Sequence, residues 1–368
     1  MTQAYFLVPG LLLDETARSA VSQKSLALAN DLSSSLTSDP LMQELGAGVF
    51  SRSVHLCWLW SVLMKRDLPP QTAAYAWPVD QGPQLCSNDV FRLYPAHVDN
   101  KGIISDVAMT DAAIESFSKC LTPALNDLGF KLQRWDKVLY LTRKDNWGVA
   151  FRPFEALIGQ VRELSSDIEG LSDDSSQNEV QKLTAAKALD HLEKILATAQ
   201  IEVNATSVNA LWLDGASRYA NVYPPTTIRS VLADDPAIFG WGLAAGILNH
   251  RLGKATGAVE WPADAPNGER IAVIETLYKA WLARDWKSWE EALPCVIEQI
   301  RQLSEAARKK GCDQVLIVAC GNAMTVSIPK KLTHPKSLLA RFTANKKLAA
   351  DAWLFCGNVK EHNSEDAL

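Results

Sequence analysis

The chain opens with the apolar run Tyr5-Phe6-Leu7-Val8, which Pro9-Gly10 interrupts. A short apolar run that ends at turn residues is typical of a buried strand. A helical region is expected to follow, because Asp14 is a suitable N-cap and leucines recur behind it at helical spacing. A strand followed directly by a helix is the repeating unit of α/β proteins, so the opening of the chain predicts an α/β fold.

The rest of the chain continues this mixture of helices and strands. Apolar residues predict helices at 54–64, 110–121, 183–196 and 293–303, and strands at 90–94, 137–141 and 208–213. Near the end, two apolar runs at 315–319 and 324–328 flank Gly321-Asn322, which indicates a late antiparallel hairpin. We therefore expect a single α/β domain over residues 1–368, with a flexible loop in the acidic, turn-rich stretch at about 165–178.

Composition and charge restrict the kinds of partner. The chain is 47% hydrophobic and 21% charged, which is typical of a globular protein with a large buried core. Its formal net charge is -5 at pH 7, whereas nucleic acids and anionic membranes attract concentrated basic surfaces. We expect neither a nucleic-acid nor a membrane partner, and the expected partner is a protein or a small-molecule ligand.

The start of the chain and its cysteines predict a cytoplasmic location. The first residues lack the basic and small-residue features of a signal peptide, and no stretch approaches the ~20 apolar residues of a membrane span. The seven cysteines are scattered and form no Cys-x-x-Cys pair. This spacing favours buried thiols in a reducing compartment over a disulfide framework or structural zinc.

Several short segments, taken in chain order, resemble a known family. They are Pro9-Gly10-Leu11-Leu12, Phe91-Arg92-Leu93-Tyr94-Pro95-Ala96-His97-Val98-Asp99, the segment from Asn204 to Ala216, Val231-Leu232-Ala233-Asp234-Asp235-Pro236 and Gly240-Trp241-Gly242-Leu243. Together they are similar to bacterial regulatory proteins of the pathogenicity-factor-E type, relatives of the cofactor-independent phosphoglycerate mutases. The resemblance implies an alkaline-phosphatase-like fold, in which a three-layer core surrounds a central mixed sheet.

Enzymes of that superfamily are implied to use two divalent ions, held by Asp and His, and a Ser or Thr nucleophile. Here the end of the first strand reads Val8-Pro9-Gly10-Leu11 where the enzymes carry an Asp. Late in the chain, Ala319-Cys320-Gly321-Asn322 stands where paired Asp and His ligands are expected. We therefore assign no catalytic residue, no metal ligand and no cofactor.

The segments of the resemblance supply the candidate ligand-binding residues. These are Arg92, His97, Asp99, Asn204, Asn209 and Asp214. His97 beside Asp99 has the composition of an oriented general base, although a histidine at a strand end is more often bonded to backbone. The asparagines are equally typical of caps and turns, so both interpretations stay open.

The combined pattern favours a catalytically degenerate phosphoglycerate-mutase-like protein with a regulatory or binding role. The alternative is a metal-dependent phosphomutase or phosphatase acting on a small phosphorylated metabolite, so the sequence does not decide whether the chain is an enzyme. The twelve tryptophans are typical of core packing, whereas an exposed one would favour a protein-binding surface.

Overall fold

The structure is a computed structural model. It describes residues 2–29, 32, 40–45, 48–65, 70–76, 89–172, 174–217, 227–252, 261 and 267–332. The chain divides into two compact units, and each is described by itself. Unit 1 combines Met1–Leu45 with Leu252–Leu368, and unit 2 is Gly46–Arg251. The prediction of a single domain stays a prediction.

Helices and strands alternate through much of the described chain. The helices are α1 (Glu15–Ala20), α2 (Gln23–Ala29), α3 (Val54–Met64), α4 (Asp111–Asp127), α5 (Phe154–Leu157), α6 (Leu164–Asp167), α7 (Ser175–Ala199), α8 (Pro236–Ala244), α9 (Tyr278–Leu282) and α10 (Trp286–Lys309). The first strands are β1 (Gln3–Pro9), β2 (Leu41–Glu44), β3 (Asp89–Val98), β4 (Ile104–Asp106), β5 (Phe130–Trp135), β6 (Val138–Arg143), β7 (Val149–Phe151) and β8 (Ile168–Gly170). The later strands are β9 (Glu202–Val203), β10 (Thr206–Ser207), β11 (Ala210–Ser217), β12 (Ile228–Leu232), β13 (Leu248–His250), β14 (Glu269–Val273), β15 (Gln314–Cys320) and β16 (Met324–Lys331).

Unit 1 contains a mixed sheet with the strand order β14-β1-β15-β16-β2. Strand β1 is parallel to both β14 and β15, whereas β16 returns antiparallel to β15 and pairs with β2. The predicted late hairpin and the α/β class are confirmed. Most residues of β1 and β15 are buried, which is expected for parallel strands covered on both faces and explains their continuous apolar runs.

Unit 2 is built around an antiparallel sheet with the order β11-β3-β6-β5, and β4 pairs with the end of β3. Its core contains edge-to-face aromatic contacts of Phe91 with Phe130, Trp147 and Phe151, at centroid distances of 5.7, 5.7 and 6.2 Å. Strands β12 and β13 of this unit are parallel to each other. Unit 2 therefore offers both an antiparallel sheet face and a pair of parallel strand ends.

The acidic stretch predicted as a loop contains regular structure. It includes the end of α6, the whole of β8 and the first residues of α7. Its polar residues serve the start of α7, because the Asp174 carboxylate accepts hydrogen bonds from the backbone N–H and the hydroxyl of Ser176. Serine and aspartate suit a helix N-cap as well as a turn, which is why composition alone predicted a loop.

Helix length and polarity bear on membrane insertion. Among the described residues, no helix is both long enough and apolar enough to cross a membrane.

Candidate functional site

The carboxyl ends of β1 and β15 in unit 1 occupy the position at which open α/β sheets commonly bind ligands. Here the backbone N–H groups of Gly10 and Leu12 donate to the Cys320 carbonyl, at 3.0 and 3.2 Å. The three leucines that follow Gly10, at positions 11–13, are fully buried. This end of the strands is therefore lined by apolar side chains of the chain itself.

Two tryptophans hold Gly10 in place at this end. The indole N–H of Trp289 donates to the Gly10 carbonyl at 2.7 Å, and Trp289 has no exposed surface. Gly10 has a φ of +77°, and a Cβ at this position would lie 2.8 Å from the Trp281 Cβ. The sequence Val8-Pro9-Gly10 thus needs a glycine for two reasons, a left-handed backbone and close contact with a tryptophan.

The thiol of Cys320 also lies at this end. It is buried, and burial raises the pKa of this thiol well above its ordinary value. A thiol is a nucleophile or metal ligand only as the thiolate, so Cys320 is suited to packing. More broadly, no group of three or more His, Cys, Asp or Glu side chains able to hold a metal ion occurs within the described ranges.

Charged groups gather instead in unit 2, where Arg92 of β3 lies opposite Asp214 of β11. The Thr72 hydroxyl donates to Asp214 Oδ1 at 3.4 Å. The Arg92 guanidinium lies 5.2 Å from the centroid of the Tyr94 ring, and this ring stacks on Phe154 at 4.4 Å. We call Arg92, Tyr94, Glu155, Asp214 and Asp235 the Arg92 cluster.

The electrostatics of the Arg92 cluster are set by desolvation. Burial raises the pKa of Asp214 to about 7, although Arg92 and a hydrogen bond from the Phe154 backbone N–H oppose the change. Asp235 and Glu155 act in the same direction as burial because they are like charges. Strongly shifted carboxyl groups beside a fixed cation are a physical signature of functional sites, although structural ion clusters share it.

Asp235 links the cluster to the carboxyl end of the β12–β13 pair. It is the N-cap of α8, where its carboxylate accepts hydrogen bonds from the N–H groups of Ala237 and Ile238, at 2.7 and 3.1 Å. Burial raises the pKa of Asp235, while these hydrogen bonds and Arg92 lower it. Arg251, just after β13, donates to the backbone carbonyl of Asp234. This strand end is therefore charged.

The other predicted residues lie away from the Arg92 cluster. The His97 Nδ1 lies 2.9 Å from the Ser207 carbonyl oxygen, and both side-chain amide atoms of Asn209 bond the Val98 backbone, at 2.8 and 2.9 Å. His97 is five residues from Arg92 along β3, and side chains an odd number apart point to opposite faces of a strand.

Asp99 and Asn204 occupy turns. The Asp99 carboxylate accepts the backbone N–H groups of Lys101 and Ile103, both at 2.8 Å. Asn204 is exposed between β9 and β10, and its φ is +50°. The six predicted residues therefore do not converge: Arg92 and Asp214 meet, and the other four are bonded to backbone or placed in turns.

The prediction missed Tyr94, Glu155 and Asp235 as members of the cluster. The signal for Asp235 was present, because Asp234-Asp235-Pro236 is both part of the resemblance and an N-cap pattern. Glu155 lies on the short helix α5, which the fold brings next to Asp214. Spacing along the chain does not reveal such a contact.

Comparisons with known proteins give only distant structural likenesses. No family model matches the sequence, and no curated protein matches it. A cofactor-independent phosphoglycerate mutase from Thermoplasma acidophilum is 12% identical with a TM-score of 0.36, and the match covers 90% of each chain. The PH0037 protein from Pyrococcus horikoshii is 12% identical with a TM-score of 0.43, covering 89% of this chain and 85% of that one. The relationship to the pathogenicity-factor-E type stays a prediction.

Proposed function

We propose that this chain is a catalytically degenerate, phosphoglycerate-mutase-like protein that acts in the cytoplasm by binding a protein or a small-molecule ligand. The observation that carries the proposal is the apolar closure at the carboxyl ends of β1 and β15. Two-metal phosphoryl transfer requires carboxylates and imidazoles around the ions. Buried leucines and the indole of Trp289 occupy that end instead.

The Arg92 cluster is the proposed ligand site. Its carboxyl groups are desolvated, and Asp214 has a pKa of about 7, so its charge changes near neutral pH. An ionised carboxylate can accept further hydrogen bonds besides those that Asp214 receives from Thr72 and the Phe154 backbone, so a ligand that offers donors suits this site, and Arg92 supplies a cation. A binding site of this kind needs neither a metal nor a nucleophile.

The proposal is tested by measuring metal content and phosphatase activity together. The full chain is purified without chelator, its metals are measured by mass spectrometry, and a generic phosphate ester is supplied with Mg²⁺, Mn²⁺ or Zn²⁺. We expect no stoichiometric metal and no hydrolysis above a metal-only blank. Stoichiometric zinc or manganese with turnover would instead establish the alternative, a metal-dependent phosphomutase or phosphatase.

Two variants separate intrinsic activity from contamination. Asp214→Asn and Asp235→Asn remove charges from the Arg92 cluster, and each is purified by the same procedure. Hydrolysis that is unchanged in both variants counts as contamination, whereas hydrolysis lost in either variant identifies an active site in unit 2 and ends the non-enzymatic interpretation.

A further inference from the structure

Strand β5 is an edge strand of the described antiparallel sheet of unit 2, where it pairs with β6. Phe130 is buried in the core, and the residues after Leu132 are exposed. The strand is thus anchored at its beginning and open to solvent toward its end. We call residues 130–137, from β5 into the turn before β6, the β5 edge.

One aromatic side chain distinguishes the β5 edge. Trp135 is 47% exposed, whereas most of the described tryptophans are buried. It stands immediately before the turn at Asp136, which has a φ of +49°. A tryptophan side chain has only two rotatable side-chain bonds, so it loses little conformational freedom on binding, and tryptophan is among the residues that contribute most at protein interfaces.

The charges around Trp135 are mixed, with an excess of positive charge. Lys131 and Lys137 are exposed, and so is Asp136 between Trp135 and Lys137. Arg134 is paired with Asp111, so its charge is partly neutralised. By strand alternation, Lys131, Gln133 and Trp135 share one face of β5. The β5 edge is therefore a basic and aromatic surface on a chain whose net charge is -5.

We propose that the β5 edge binds an extended acidic segment of a protein partner, which adds to the sheet as the next strand. The backbone of an edge strand offers hydrogen bonds to such a segment, and alternate side chains supply the specificity. Carboxylates of the partner lie beside Lys131 and Lys137, and an apolar side chain of the partner covers the indole of Trp135. The inference rests on the proposed function, in which the chain binds a partner. It adds the class of that partner and places its binding on a surface distinct from the Arg92 cluster.

Lysines on an edge strand also serve to prevent unwanted pairing. That role explains Lys131 and Lys137 but not the exposed indole, because a protected edge gains nothing from a large apolar side chain. The combination of flanking lysines and a central aromatic anchor is selective for an acidic strand over an apolar one.

The test uses the full chain and a fluorescent peptide of about seven residues, a length typical of a strand, with glutamates in one half and valines in the other. Each face of this peptide in a strand then carries both a carboxylate for Lys131 and an apolar side chain for Trp135. Fluorescence anisotropy compares it with a lysine–valine peptide and with a single-stranded oligonucleotide. We expect the acidic peptide to bind and the other two probes to bind at least about tenfold more weakly. Equal or tighter binding of the oligonucleotide overturns the proposal, because a basic aromatic surface also suits stacked bases.

Variants locate the binding on the β5 edge. The double variant Lys131→Glu, Lys137→Glu is expected to bind the acidic peptide about tenfold or more weakly than the parent chain does, and to bind the lysine–valine peptide more tightly. Trp135→Ala is expected to weaken binding by about tenfold. Lys187→Glu reverses an exposed charge on α7 and is the matched control, expected to bind as the parent chain does. Loss of binding in this control as large as in the double variant shows a general charge effect and overturns the proposal.

Strand addition is separated from surface attraction by methylating the peptide backbone. A peptide N-methylated on the amides of one edge cannot donate hydrogen bonds from that edge, and its methyl groups block close pairing there. One of the two alternately methylated peptides is therefore expected to lose binding while the other keeps it. Equal binding of both methylated peptides, or no binding of the parent acidic peptide, overturns the proposal. Neither result changes the metal and ester measurements, so the two proposals fail separately.

Discussion

Two pairs of parallel strands end in opposite chemical environments. In unit 1, the carboxyl ends of β1 and β15 are covered by buried leucines and by Trp289. In unit 2, the β12–β13 pair ends at Asp234, Asp235 and Arg251. The backbone geometry of a parallel strand end is shared, so the difference lies entirely in side chains. The comparison teaches that a strand end suited to ligands by topology can be converted into core.

The two ends also differ in what they contribute to stability. The apolar end removes leucine and indole surface from water, which stabilises the fold. The Arg92 cluster, which Asp235 links to the charged end, opposes folding when its acids are ionised, because burial raises the pKa values of both Asp214 and Asp235. Groups that are unfavourable for stability are retained most readily where they serve a function. We therefore expect substitutions at the two ends to have effects of opposite sign.

The largest expected effect is at Trp289. Trp289→Ala removes a fully buried indole and its hydrogen bond to Gly10, so we expect it to lower the free energy of unfolding by about 4 kcal/mol. Trp135→Ala, at an exposed position, should change it by less than about 1 kcal/mol. Urea unfolding of both variants measures the difference. Equal effects would mean that the apolar end is not part of a packed core.

Gly10→Ala tests the close approach at the same end. Alanine is strained in the left-handed backbone of this position, and its Cβ would lie 2.8 Å from the Trp281 Cβ. We therefore expect the free energy of unfolding to fall by about 3 kcal/mol. Gly311→Ala is the matched control in unit 1, because Gly311 has a φ of +81° and nothing within 4 Å of its ideal Cβ. The control should lose only about 1 kcal/mol for the backbone. A Gly10 variant no less stable than this control would show that the strand end is open.

Asp214→Asn tests the Arg92 cluster, which adjoins the charged end, through its pH dependence. The folded-state pKa of Asp214 is about 7, raised by desolvation from 3.8, so its contribution to stability is present at low pH and is lost as pH rises through about 7. Asparagine resembles the protonated acid, so the variant should gain on the order of 2 kcal/mol relative to the parent chain between pH 5 and pH 8.

The control for this pH dependence is Asp99→Asn. Backbone hydrogen bonds, led by that from Ile103, lower the pKa of the exposed Asp99 carboxyl, so it titrates below this pH range. For Asp99→Asn, the slope of the free energy of unfolding against pH from 5 to 8 should therefore equal the slope of the parent chain. If the Asp214→Asn variant has the same slope as the parent chain, Asp214 is not the group that titrates in this range.

Parts of the fold that depend on local pattern were predictable from the sequence. Strand β1 and the β15–β16 hairpin follow from apolar runs bounded by turn residues. Helix α4 begins where a helix was predicted from residue 110, and the hydroxyl of its N-cap Thr110 accepts the Ala113 N–H at 3.2 Å. The structure of the stretch at 165–178 was not predictable. Its aspartate and serine residues at the start of α7 form a helix cap, and caps and loops have the same composition.

The candidate site was predictable only in part. Arg92 and Asp214 came from the resemblance, and their pairing depends on the register of β3 against β11, which no spacing along the chain reveals. Tyr94 stacks on Phe154 of α5, and Asp235, at the start of α8, interacts with Arg92 through space. The sequence showed that no aspartate follows β1, which indicated the loss of a metal ligand. It did not reveal that Trp289 bonds Gly10, because the two residues lie 279 positions apart.

The smallest expected effect separates the other end of β3 from the charged site. Asn209 bonds the backbone N–H and carbonyl of Val98, so Asn209→Ala should lower the free energy of unfolding by about 1 kcal/mol at every pH from 5 to 8. Asn204→Gly, at an exposed position with positive φ, should change it by less than about 0.5 kcal/mol because glycine adopts that backbone freely. Urea unfolding across this pH range measures both variants. A pH-dependent loss at Asn209 would connect it to the titration of Asp214 and extend the charged site along the whole of β3, whereas a constant loss leaves Asn209 as a structural link between strands.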